Sequence, residues 1–165
     1  REDHGIDSRR ITGISAMMTD FHHAVLRFPR PSTRVEALFS AEACTAQMLA
    51  HGRLGLDDVD AGFWRDDEVT RLTHLMEVSS KPAINPNINY DPKQPERMTI
   101  TLEDGHRLEQ ARDVPPGSPS RPRPPAAHAD KFATMTGYPA DRFHALLKWP
   151  ECRDANSLFA EFAGG

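Results

Sequence analysis

Eight histidines, two cysteines and a scatter of carboxylates are the first residues to weigh for chemistry in this 165-residue chain. His22 and His23 are adjacent, and in an extended segment their side chains point to opposite sides, which makes no chelate. No His-x-x-x-His pair comes with an accompanying carboxylate pattern, so neither a metal site nor a cofactor is expected. Ser40 lacks the Gly-x-Ser-x-Gly turn that presents a nucleophile on a strained elbow. Cys44 has no cationic neighbour close in sequence to hold it as a thiolate, so it reads as a structural thiol. What remains is a polar strip. Glu36, Ser40, Ala43 and Gln47 follow one another at helical spacing, with a hole at Ala43.

That strip belongs to the stretch from Pro31 to Gly52, PSTRVEALFSAEACTAQMLAHG. Thr33 is placed to be an N-cap with Glu36 three residues on, a reciprocal capping pair, and Gly52 supplies a left-handed closing residue. Val35, Phe39, Ala46 and Ala50 share one stripe, with Leu38 and Leu49 beside it. One continuous helix over residues 34–51, packed on a sheet through Phe39, is the expectation.

The same stretch resembles the C-terminal region of the MmgE/PrpD family, which includes 2-methylcitrate dehydratases, cis-aconitate decarboxylases and iminodisuccinate epimerases. The family pattern there is P-x-T, then E-A-K-F-S, a short gap, a Tyr, an Ala-rich helix and a Gly. Pro31, Thr33, Glu36, Ala37, Phe39, Ser40 and Gly52 match it, whereas Leu38 stands at the usual Lys and Ala43 at the usual Tyr. The likeness runs upstream to HGIDSRRITGI and downstream through TLEDGHRLE to DKF.

The resemblance implies a small lid-like domain set on a large helical domain, with the Tyr of this helix over the active-site cleft. It implies proton abstraction beside a carboxylated carbon, followed by loss of water, loss of carbon dioxide or reprotonation. Most of the bases and carboxylate anchors would then lie on the helical domain and on a Lys-Pro segment just before this chain begins. Glu36, Ser40, Ala43 and Gln47 become the expected substrate-binding residues, and no catalytic residue is identified. The expected partners are a small polycarboxylate, the upstream helical domain and a second copy in a homodimer. Ala43→Tyr is expected to alter substrate preference at little cost in stability. Two readings stay open: the lid of a lyase or isomerase, inactive alone, or a binding or assembly module descended from one, at which Ala43 hints.

Composition narrows the classes. A formal charge of −4 and a pI near 6.1 argue against nucleic-acid or anionic-membrane partners, which favour a basic surface. No apolar run approaches a bilayer span and REDHGIDSRR is unlike a signal peptide. With only Cys44 and Cys152, a reduced, cytoplasmic chain is expected. Arg1 opens the sequence without a Met, which reads as a fragment or a trimmed product.

The supporting elements follow from local pattern. Ile11 to Thr19 alternates as a strand weakened by Gly13, and Phe21 to Arg30 reads as an extended connector. Asp57 or Asp58 is expected to cap a short helix, and Asp66 or Asp67 one carrying Val69, Leu72 and Leu75. Met76 to Ser79 reads as a short strand and KPAINPNINYDPKQPE as a surface loop. Met98, Ile100 and Leu102 alternate with threonines before Asp104-Gly105, a strong hairpin signal that returns over Arg107 to Val114. PPGSPSRPRPP is a stiff linker, favoured over an SH3-type ligand. Helices are expected over 130–136, 141–149 and 156–162. The fold class is therefore α+β, a small and largely antiparallel sheet with helices on one face, then a C-terminal helical segment. Its expected divisions are residues 1–115, a linker over 116–125, and 126–165.

Overall fold

The computed structural model describes residues 5–85 and 90–147. The chain divides into two compact units, Arg1–Val114 and Pro115–Gly165. In the first unit the order is β1 (Ile11–Thr19), α1 (Asp20–Val25), α2 (Arg34–Leu38), α3 (Ala41–His51), α4 (Leu56–Ala61), α5 (Asp67–Leu75), β2 (Met76–Lys81), β3 (Glu96–Leu102) and β4 (Arg107–Arg112). The four strands form one sheet in the order β2-β1-β3-β4. β1 pairs parallel with β2 and antiparallel with β3, and β3 pairs antiparallel with β4. The largely antiparallel α+β architecture is thus present.

Side-chain alternation builds the buried face. Ile14 stands opposite Met76 on one side and Ile100 on the other, and Ile100 stands opposite Leu108. Ile11, Ile14, Ile100 and Met76 enter a single core with Ala43, Ala46 and Leu49 of α3 and Val69 and Leu72 of α5. The β3–β4 hairpin turns where Asp104-Gly105 predicts it. Gly105 takes φ +80°, a conformation that costs any residue with a Cβ. Arg10 secures the turn, donating to Glu103 at 2.8 Å and Asp104 at 2.7 Å.

Three local expectations are corrected. The segment from Phe21 is no extended connector, because Thr19 caps a short helix by accepting the His22 N–H at 3.5 Å. The organising helix is not continuous. Ser40 Oγ accepts the Ala43 N–H at 3.0 Å and so starts α3 afresh, leaving α2 to end at Phe39. The restart rotates the earlier stripe out of the core: Val35 is 61% exposed and Phe39 42%, while Ala37 is fully buried. The sheet therefore does not receive Phe39. Finally, Gly55 caps α4, and Asp58 reaches back to accept the Gly55 N–H at 2.8 Å.

Asp66 does cap α5 as expected, accepting from Glu68 and Val69 at 3.0 Å. In the second unit α6 (Pro125–Thr136) starts earlier than position 130, since a proline costs nothing at a first helical position. Gly137 closes α6 at φ 74°, and α7 (Arg142–Leu147) follows. Trp149 and the helix expected over 156–162 lie outside the described residues.

Candidate functional site

The four residues of the polar strip reach different surroundings. The Glu36 carboxylate accepts from Ser32 N at 2.7 Å and Ser32 Oγ at 2.8 Å, and these bonds hold it below the usual carboxylate range. It clips the chain just before α2. Ser40 is fully buried as the cap of α3. Ala43 is 1% exposed and packed in the core, so within this unit no open hole borders it. The expectation that a tyrosine there would cost little stability is corrected, because the space is already filled. Cys44 donates to Ala37 O at 3.4 Å, and burial pushes its thiol up, away from the reactive thiolate.

Gln47, 3% exposed, lines a cavity of about 440 Å³ together with His51, Arg53, Asp58, Arg65 and Asp66. Its charges are largely spent on each other. Arg53 meets Asp58 at 2.9 Å, and His51 Nε2 lies 3.4 Å from Asp66. The Asp66 carboxyl is held low first by the Val69 N–H and then by His51. Arg65 lies 5.3 Å over the Trp64 ring. Two arginines against two aspartates leave no net cation to draw a carboxylate ligand.

A second cluster, absent from the sequence reading, forms at the C-terminal end of β1. His22 Nδ1 lies 2.6 Å from Glu96 Oε1 and 3.2 Å from Thr19 Oγ1. Tyr90 lies beside the imidazole in a tilted arrangement, with ring centroids 4.7 Å apart and planes at 33°, and Phe21 meets it edge-on at 5.4 Å. Lys81, opposite Thr19 in the sheet, donates to Pro95 O at 3.2 Å, one residue from Glu96. The only local signal was the Thr19 cap, which turns His22-His23 from strand into helix. Nothing in the order of residues pairs His22 with Glu96. Among the described residues no group of three or more His, Cys, Asp or Glu side chains is placed to hold a metal ion.

A model of the MmgE/PrpD C-terminal domain family matches residues 1–147. The chain belongs to that family. No curated protein matches it. The MmgE/PrpD match spans the whole sheet, the split helix pair α2 and α3, and both described helices of the second unit. Among the described residues no helix is long and apolar enough to cross a membrane.

Proposed function

We propose that this domain is the lid-like part of a lyase or isomerase acting on small polycarboxylates, by proton abstraction beside a carboxylated carbon. The observation that carries it is the MmgE/PrpD C-terminal domain match over residues 1–147. Loss of water, loss of carbon dioxide or reprotonation would complete the reaction. A helical domain would supply most of the bases and anchors, so the isolated chain is inactive. Gln47, nearly buried in the wall of its cavity, is the strip residue this reading sets closest to a ligand, through its amide rather than through charge. Glu36, Ser40 and Ala43 would then support that surface from behind. A reduced, cytoplasmic setting and a homodimer fit the same reading.

A second reading, a binding or assembly module that has lost catalysis, is favoured by Ala43 at the position of the family Tyr. One experiment separates them. The isolated chain and the chain joined to its helical domain are screened for turnover of 2-methylcitrate, cis-aconitate, iminodisuccinate and related acids. The lyase or isomerase reading expects turnover in the joined protein alone. Silence in both, with tight association between the domains, selects the assembly module.

A further inference from the structure

β4 ends the sheet order β2-β1-β3-β4, so among the described residues one of its sides has no strand beside it. β2, the other edge, packs beside α1. Which backbone groups of β4 face outward follows from its pairing with β3. The Leu102 N–H donates to His106 O at 2.9 Å, and the register runs unbroken from Thr101↔Arg107 to Glu96↔Arg112. Bonded and non-bonded pairs alternate along an antiparallel ladder, so His106, Leu108, Gln110 and Arg112 turn their backbone groups towards β3. Arg107, Glu109 and Ala111 turn theirs to the open side.

An open edge is usually blunted by a proline, a bulge or repelling charge. β4 has no proline and no bulge, and the signs of Arg107 and Glu109 are opposite. Both side chains are exposed on the face away from the core, because Leu108 between them stands opposite the buried Ile100. A second copy of the strand can pair with it only if outward residues meet outward residues. The two-fold axis must then pass through a residue. Placed at Arg107 or Glu109, it sets like charges directly opposite each other, and placed at Ala111 it sets Glu109 against Asp113 of the second copy; both are destabilising. Placed at Gln110, it sets the Arg112 charge against Leu108. Placed at Leu108, it is complementary throughout. Arg107 then meets Glu109 of the second copy, and Glu109 meets its Arg107, each pair exchanging N–H and C=O groups. Leu108 meets Leu108, which extends the apolar row of Ile100 and Leu108 across the axis.

We propose that two copies of this chain associate through β4, antiparallel and with the two-fold axis at Leu108, to form one continuous sheet. The charge pattern commits the edge to a second copy, since strand and partner carry the same alternation and meet it in opposite directions. This gives the homodimer of the reading above a surface, and its failure leaves the lyase or isomerase chemistry untouched.

Sedimentation of the whole chain over a dilution series reads the association. A concentration-dependent dimer is expected, and a monomer throughout overturns the proposal. Arg107→Glu and Glu109→Arg each set like charges opposite one another at both symmetric positions, and each alone is expected to raise the dimer Kd about tenfold. An equimolar mixture of the two variants restores every opposite-charge pair and should associate within about threefold of wild type. A dimer that neither variant weakens, or a mixture no tighter than its components, overturns the proposal. Disulfide trapping in a Cys44→Ser, Cys152→Ser background decides if a charge variant fails to fold. Leu108→Cys is expected to link two copies under mild oxidation, because the Cα atoms of a non-bonded antiparallel pair lie about 4.5 Å apart. No link there, or a link formed by Gln110→Cys in its place, overturns the proposal.

Discussion

Arg71 grips Glu68 through two contacts, Nε to Oε2 at 2.8 Å and Nη2 to Oε1 at 2.9 Å. It also donates to the carbonyls of Ser8 at 2.9 Å and Ile11 at 3.1 Å. One guanidinium thus joins α5 to the start of β1, where Ile11 is almost fully buried. The hydrogen bond from Arg71 is the main cause that lowers the Glu68 carboxyl to about 2. Its unfolded value is the higher one, so the pair's stability is complete above the ordinary carboxylate range and is lost as pH falls towards 2. Because both side chains are partly exposed, solvent screening reduces the contribution to about 1 kcal/mol. Urea unfolding of wild type and Glu68→Gln should differ by that amount at pH 7 and converge between pH 5 and about 2. Parallel curves across that range would contradict the pairing.

Ala43→Tyr should be strongly felt in stability. Its Cβ sits in a core with Ala46, Leu49 and Leu72, and enlarging a packed position costs about 1–3 kcal/mol. Chemical unfolding of the isolated chain measures this directly. A variant as stable as the wild type would mean that the side chain escapes to an open surface, as a cleft-lining position requires.

Ser40→Ala removes the oxygen that accepts the Ala43 N–H at a fully buried helix start. A loss of about 1–2 kcal/mol is expected, at the upper end for caps because water cannot replace the bond. Ser40→Asp would keep an acceptor but bury a charge, and should be worse than Ser40→Asn. The order of midpoints among Asn, Ala and Asp in urea checks both statements.

Gly105→Ala tests the hairpin. Nothing lies within 4 Å of an added Cβ there, so the whole cost is the positive φ, about 1 kcal/mol. Gly13→Ala meets only Thr101 Cβ at an ordinary 3.8 Å and takes no positive φ, so it should be close to neutral. Equal losses in thermal unfolding of the two variants would remove the turn assignment.

Much of this protein was legible from the order of its residues, wherever the cause is local. β1 spans the predicted Ile11–Thr19, Asp66 caps α5, and the chain turns at Asp104-Gly105, because each depends on backbone preferences and side chains a few positions apart. The family was legible too, from a likeness strongest in the Pro31–Gly52 stretch and running along most of the chain, and the family match covers residues 1–147. The break at Ser40 was decided on a finer balance. A serine within a helical pattern either stays in the helix or caps a new one, and the bond to Ala43 N–H together with burial settled it. Only the tertiary structure joined His22 to Glu96, 74 positions away. That meeting needs β1 to lie beside β3 in one register, and with it Lys81 comes opposite Thr19 through β2. Strand order is a property of the whole sheet, fixed by where apolar faces bury together, and no spacing along a single segment encodes it.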